Sequence, residues 1–118
     1  MPEDLSSFLP LSPASFYILF SLAAEDRHGY GIMQEVTRQS GGQYKLGPGT
    51  LYDNLQKMMN WAMVEDAPRR SADDDPRRRY YRLTEFGRRI LAAEVTRLED
   101  LVREAKSNLR AADPRRAT

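Results

Sequence analysis

Gly47-Pro48-Gly49-Thr50-Leu51-Tyr52-Asp53-Asn54-Leu55-Gln56-Lys57-Met58-Met59-Asn60 is the most informative stretch of the chain. Its glycines and proline shape a tight turn and a helix start, because proline at the first helical position gives up only an N–H that would have no partner there. Leu51, Leu55 and Met58 then recur at i, i+4 and i+7, which predicts an inward stripe on a helix reaching about Asn60. The outward face offers Thr50, Asp53, Asn54, Lys57 and Tyr52. The glycines also invite comparison with a phosphate-binding loop. That loop needs glycine, four residues, then Gly-Lys-Ser/Thr after a strand, and this stretch has no Lys-Ser/Thr pair.

Upstream, Ser12-Pro13 predicts another helix start, with serine as the cap and proline at the first position. That helix runs to about Ala24. Phe16, Tyr17, Ile18, Leu19, Phe20 and Leu22 cover nearly its whole circumference, and a helix apolar all round must be buried all round. Glu25-Asp26-Arg27 reads as a polar turn. A second helix follows from about Tyr30 to Ser40, with Ile32, Met33 and Val36 on one face and Gly41-Gly42 as its stop. His28 reads as a hydrogen-bonded turn residue, and Gly31 weakens the start of this helix by up to about 1 kcal/mol. Downstream, residues 63–66 and 79–83 are short strand candidates around a charged tip, a hairpin. Thr84 caps a long last helix reaching about Leu109 or Arg110. In it Leu91, Val95, Leu98, Val102, Ala105 and Leu109 are spaced 4, 3, 4, 3, 4. That heptad seam over nearly three repeats suits docking against a second copy. Phe86, Ile90 and Leu101 form a neighbouring stripe.

Three helices, a two-stranded hairpin and a long helix predict a mainly α fold with a small β-wing. This is the order of a winged helix-turn-helix with a C-terminal extension for dimerisation. In such a domain the third helix enters the major groove and the hairpin reaches the backbone or minor groove. The expected organisation is an arm over 1–11, a DNA-binding domain over 12–83, a dimerisation helix over 84–110 and a flexible tail over 111–118.

The strings Leu11-Ser-Pro…Phe16-Tyr-Ile-Leu, His28-Gly-Tyr, Leu46-Gly-Pro-Gly-Thr-Leu-Tyr52 and Arg79-Tyr-Tyr-Arg-Leu-Thr-Glu-Phe-Gly87 stand in order over about residues 9–105. Together they resemble the PadR family of bacterial transcriptional regulators. The resemblance implies a homodimeric winged-helix repressor, inverted-repeat operators in double-stranded DNA and, in some members, a small effector between the protomers. A flat aromatic compound would suit an apolar cleft between two last helices. The chain departs from the family pattern at Asp53, where relatives often carry a basic residue. It departs again at Trp61-Ala62, where they tend to have a polar residue and then glycine. Trp61 reads as a local packing residue, with an aromatic wall for an effector as the alternative.

The expected DNA contacts are therefore Lys45, Gly49, Thr50, Tyr52, Asp53, Asn54 and Lys57, with Arg77, Arg78 and Arg79 on the hairpin. Asparagine pairs bidentately with adenine, whereas Lys57 and Tyr52 suit phosphates. Asp53 either accepts from cytosine N4 or weakens phosphate attraction. The expected dimer contacts are Phe16, Phe20 and the six seam residues. The tip also carries Asp73, Asp74 and Asp75, which argue against deep insertion into a groove. These aspartates and Asp53 keep an alternative open, a dimeric protein–protein adaptor without DNA binding.

Composition limits the other function classes. Leu, Ile, Val and Phe make up about a fifth of the 118 residues, the low edge of what a lone compact core needs. With 30% charged residues, a core shared with a second copy is expected. The net charge of +1 provides no whole-molecule attraction to nucleic acid. Without cysteine there are no disulfides, thiolate nucleophiles or cysteine-ligated metals. One histidine leaves little room for metal or triad chemistry, so no metal, cofactor or enzymatic activity is expected. Phe16 to Phe20, the longest apolar run, is too short to span a bilayer. Glu3 and Asp4 stand where a signal peptide would be basic. A soluble, cytoplasmic protein is expected.

Overall fold

The computed structural model describes residues 5–112. The acidic start at Glu3 and Asp4 and the end of order expected at Asp113-Pro114 lie outside the described residues. Ser12 caps the first helix as its sequence demands. Its hydroxyl accepts from the Ser15 N–H at 3.1 Å and Pro13 takes the first helical position, so α1 spans Pro13–Leu22. A two-residue strand β1 (Arg27–His28) leads into α2 (Gly29–Gln39), and the glycine pair 41–42, both at positive φ, turns the chain toward α3 (Pro48–Asn60). Strands β2 (Val64–Ala67) and β3 (Tyr80–Leu83) precede α4 (Glu85–Ala111).

The sheet has three strands in the order β1-β3-β2, all antiparallel, where the sequence predicted a two-stranded wing. Arg27 pairs with Tyr81 and His28 with Tyr80, while Val64 to Ala67 pair with Leu83 to Tyr80 on the other edge. A strand of two residues is too short to show alternation. It exists because the outer edge of β3 would otherwise leave backbone donors and acceptors unpaired.

One cluster holds the fold. It joins Ile18, Leu19 and Leu22 of α1, Ile32 and Val36 of α2 and Leu51, Leu55 and Met58 of α3 to Met63, Val64, Tyr81 and Leu83 of the wing base and Ile90 and Leu91 of α4. Residues 5–11 do not form the loose arm expected of 1–11. Ser6–Phe8 is a short three-ten turn, and Leu5, Phe8, Leu9 and Leu11 pack against the core. Phe8 meets Trp61 and Phe86 edge to face. The Leu11 N–H donates to Glu94 Oε2 at 2.9 Å, and Glu94, only 2% exposed, is also held by the Arg97 guanidinium at 2.6 Å. That guanidinium keeps the Glu94 carboxyl below the usual carboxylate range. These contacts are all tertiary, so the segment carries no periodic signal.

The start of α4 is locked to the end of α3. Thr84 caps α4 by accepting from the Gly87 N–H at 2.9 Å, its hydroxyl donates to the Ala62 carbonyl, and its N–H donates to the Met63 carbonyl at 3.0 Å. Gly87 packs so closely on the Met63 carbonyl that a Cβ there would strike it. Just before this junction Ala62 sits at φ 59°, and the Met63 N–H reaches back to the Met58 carbonyl at 2.8 Å. This is a glycine position occupied by alanine. A left-handed conformation costs an L-residue about 1–2 kcal/mol, partly offset because alanine has less unfolded-state freedom than glycine. Ala62→Gly is therefore expected to stabilise the chain by about 0.5–1 kcal/mol, raising its melting midpoint by several degrees. Calorimetry on the two chains measures it, and a lower midpoint for the glycine variant would contradict the strain.

Candidate nucleic-acid interface

Burial of Leu51, Leu55 and Met58 fixes how α3 is rotated. At about 100° per residue the opposite stripe is Gly49, Asp53, Gln56 and Asn60, all exposed. Gln56 Nε2 donates to Asn60 Oδ1 at 3.3 Å, making a polar ridge along the outward face. Gln56 and Asn60 were not among the residues expected at the site, although the same angular count points to them. A Cβ on Gly49 would meet nothing within 4 Å, so that position is open to a partner. Lys45 and Thr50 are exposed at the entry to the helix.

Asn54 departs from expectation. It is half-buried on the flank toward α1, accepts from the Ser15 hydroxyl at 3.2 Å and donates to the Thr50 carbonyl at 2.8 Å. Its amide is engaged within the domain, because its direction on α3 lies closer to the buried stripe than to the outward one.

Tyr52 and Lys57 lie on opposite flanks of α3 and belong to two concave walls. On the wing side a depression of about 480 Å³ is lined by His28, Gly29, Tyr30, Tyr52, Tyr81 and the arginines 77–79. Gly29 lets Tyr52 lie close here, since a Cβ would meet the Tyr52 hydroxyl and push that ring aside. His28 caps α2 through its ring, Nδ1 accepting from the Gly31 N–H at 3.1 Å, and it stacks parallel to Tyr30 and edge-on to Tyr80. On the other side a hollow of about 220 Å³ runs over Ser12, Ser15, Asn54, Lys57 and Trp61. Trp61 ends α3 about half exposed, its ring against Phe8. Neither serine was expected at the site, because their hydroxyls reach it only through the packing of α1 beside α3.

The three wing arginines are each paired within the hairpin. Arg77 reaches Asp75 at 3.2 Å, Arg78 reaches Asp74 at 3.1 Å, and Arg79 grips Asp66 at 2.5 Å while its guanidinium lies over the Tyr81 ring. The hydrogen bond from Arg79 holds the Asp66 carboxyl below the usual range, as the one from Arg77 does for Asp75. At the base of the wing, Arg70 pairs with Glu25, Arg82 with Asp26 and Arg27 with both Glu25 and Glu35.

A second surface lies on α4. Leu91 is only 9% exposed and belongs to the domain's own core, because the helix still lies over the domain there. The uncovered part of the seam therefore begins at Val95. Val95, Val102, Ala105 and Leu109 are exposed, and Leu98 is half-buried. With Phe16 of α1, Val95, Leu98 and Val102 border a groove of about 510 Å³ flanked by Glu99, Arg103 and Lys106. Phe16 packs on Phe20, which is also exposed beside this surface. Among the described residues no three His, Cys, Asp or Glu side chains are placed to hold a metal, and no helix is long and apolar enough to cross a membrane.

Comparison with known proteins adds to this geometry. The profile of the Transcriptional regulator PadR-like family matches residues 18–93. The transcriptional regulator Rv3488 of Mycobacterium tuberculosis is 34% identical over 88 residues, covering 75% of this chain and 78% of that protein. An uncharacterized protein of Lysinibacillus sphaericus is 31% identical over 93 residues, covering 74% and 84%. Among solved structures, a PadR family transcription regulator from Clostridium difficile superposes with a TM-score of 0.68 at 22% identity, covering 83% of this chain and 99% of that one, which is a likeness of fold. A complex of hsRosR superposes with a TM-score of 0.63 at 25% identity, covering 90% and 99%.

His28 gives the interface a pH-dependent support. Burial lowers its pKa, the Arg78 guanidinium lowers it further, and Asp74 opposes them only in part. The ring must also be unprotonated at Nδ1 to accept from Gly31. The unfolded chain therefore takes up the proton more readily, so stability is full above the ordinary value of about 6.5 and is lost as pH falls through the lower folded value. The carboxylates of Glu35, Asp66, Asp75 and Glu94 are held low and respond only at more acid pH. Urea midpoints should fall between about pH 7.5 and 5. In His28→Asn, whose side chain caps without titrating, they should stay level. Parallel pH profiles for the two chains would show that the neutral cap is not responsible.

Proposed function

The chain belongs to the PadR-like family of transcriptional regulators, and on that premise we propose that it is a homodimeric repressor that reads an inverted-repeat operator in the cytoplasm. The observation that carries the DNA reading is the outward ridge of α3 standing between two polar walls. Gly49, Asp53, Gln56 and Asn60 face base edges in the major groove, and amide and carboxylate side chains there suit adenine and cytosine. Arg77, Arg78, Arg79, Tyr52 and the start of α2 face one phosphate backbone. Lys57, Ser12 and Ser15 face the other, and Lys45 and Thr50 sit at the entry. Asn54 acts as a positioning residue that ties α3 to α1.

In this reading residues 12–83 form the DNA-binding unit and residues 84–110 the dimerisation helix. Val95, Leu98, Val102, Ala105 and Leu109, with Phe16 and Phe20, meet the same residues of a second copy. An isologous contact of this kind places two α3 helices about one helical turn of DNA apart, roughly 34 Å. The apolar groove beside Phe16 supports a flat aromatic effector as the relieving ligand. The internal pairing of the wing arginines favours a second reading, a dimeric adaptor without DNA affinity. A low-salt gel shift on the promoter of its own operon separates the two, since only the regulator retards that fragment.

Two outcomes test the assignments. Leu98→Glu puts a carboxylate into the seam on both sides of the two-fold axis and barely alters helix propensity. It should yield a monomer in sedimentation and lose most affinity for a full site while keeping the weak affinity for a half site. A dimer with unchanged operator affinity would place the interface elsewhere. Changing Lys57 to Ala should flatten the plot of log affinity against log salt by nearly one unit, the expected release of one phosphate contact. An unchanged slope would remove the arm-side wall from the DNA face.

A further inference from the structure

Asp74 and Asp75 are not a loose acidic tip. The Asp74 side chain is only 8% exposed, and its Oδ1 accepts both from the Asp75 N–H at 2.9 Å and from Arg78 at 3.1 Å. Asp75 Oδ1 accepts from the Arg77 N–H at 2.9 Å as well as from its guanidinium. On β2, Asp66 meets Arg79 fork to fork, at 2.5 and 3.1 Å. Backbone donors and strand register thus hold each carboxylate against one guanidinium. Asp66 with Arg79 and Asp75 with Arg77 do so in the planar two-bond arrangement that guanidinium also makes with a phosphate, whereas Asp74 takes one bond from Arg78. Glu65 and Asp73 stand in the same hairpin and make no ion pair among the described residues.

We propose that Asp66, Asp74 and Asp75 are specificity determinants, built-in substitutes for phosphate that occupy the wing arginines until the correct DNA site displaces them. This rests on the DNA-binding reading above. The Arg77–Asp75 and Arg79–Asp66 pairs are open to solvent and Arg78 is half exposed over the buried Asp74, and a carboxylate–guanidinium pair open to water is weak and exchanges readily. Where α3 is seated on its own sequence, backbone phosphates lie fixed beside Arg77, Arg78 and Arg79 and take the place of the carboxylates. On other sequences α3 is not seated, the phosphates are not positioned, and the arginines stay with their aspartates. The ion balance follows from the same exchange. An arginine that leaves a carboxylate for a phosphate releases a cation from the DNA, while the freed carboxylate attracts one, so little net release remains. Three arginines then add little to the non-specific affinity that such a cluster would otherwise confer.

The test compares two double variants with the same change in charge. Asp74→Asn/Asp75→Asn frees Arg77 and Arg78, whereas Glu65→Gln/Asp73→Asn frees no arginine. The full chain is titrated at several salt concentrations with a mixed-sequence duplex of about three helical turns and with a duplex selected from genomic DNA for tight binding. The first variant should bind the mixed duplex about tenfold more tightly at low salt, with a slope steeper by up to about two units. Its ratio of selected to mixed affinity should fall. The second variant should leave slope and ratio near those of the parent. Because Asp74 helps shape the hairpin bend, Asp66→Asn provides an independent reading through Arg79, with a slope steeper by about one unit. Equal effects from the two double variants, or an unchanged slope in Asp66→Asn, overturn the proposal. Failure of the parent to bind either duplex at low salt would instead overturn the DNA reading beneath it.

Discussion

Burial of Leu51, Leu55 and Met58 is the constraint from which the interface follows. A helix whose stripe is sealed into the core cannot rotate, because even one residue of rotation would bring polar side chains such as Asp53 toward that core and lift leucine into water. The outward ridge is therefore set by what lies beneath it. The flanks confirm the same azimuth by separate means. Tyr52 is seated over Gly29 on one side, and Asn54 is tied to Ser15 on the other. The far end is fastened where Thr84 and Gly87 close on Ala62 and Met63. On the proposed reading, an α3 face fastened this way is already placed before DNA arrives, which reduces the ordering that binding must otherwise cost.

The same economy of apolar residues accounts for the last helix. At 27 residues α4 is about 40 Å long, but its apolar contacts with the domain end near Leu91. Beyond Glu94 it carries Val95, Leu101, Val102 and Leu109 into solvent, Leu109 at 74% exposure. Isolated exposed leucines need no explanation, but a row at heptad spacing that also borders a groove against Phe16 does. The composition is consistent with this arrangement. A chain with about a fifth Leu, Ile, Val and Phe has kept several of them out of its own core, as a subunit shaped for a partner would.

The parts of the fold that sequence exposed were those governed by one element's own chemistry. Ser12 and Thr84 each mark a helix start because their hydroxyls cap within three residues, and Gly47-Pro48 does so because proline fits the first helical position. The stripe of α3 and the seam of α4 follow from helical angle alone. What stayed hidden depends on distant neighbours. Strand β1 exists only because β3 needs a partner, and residues 5–11 are held by Phe8, Leu11 and Glu94 meeting other elements. The tie between Asn54 and α1 stayed hidden because its amide answers to a serine 39 residues away. Leu91 was misassigned because periodicity gives a stripe its direction but not the point at which the helix leaves its domain.

Charge shows the same limit most clearly. Order along the chain places Asp73 to Asp75 between two arginine clusters, which reads as a solvated run of mixed sign. Folding divides that run into two sets with different partners. Glu25, Asp26 and Glu35 take Arg27, Arg70 and Arg82 and fasten the wing base to the start of α2. Asp66, Asp74 and Asp75 take the arginines nearest the depression that Tyr52 borders. Within the wing these charges thus cancel locally, pair by pair. Long-range attraction between such a surface and DNA is small, because paired charges largely cancel within a Debye length. In the proposed complex, strong association arises at contact, where α3 and both flanking walls engage together. That requirement ties affinity to correct seating of the outward ridge, and so to the buried stripe that aims it.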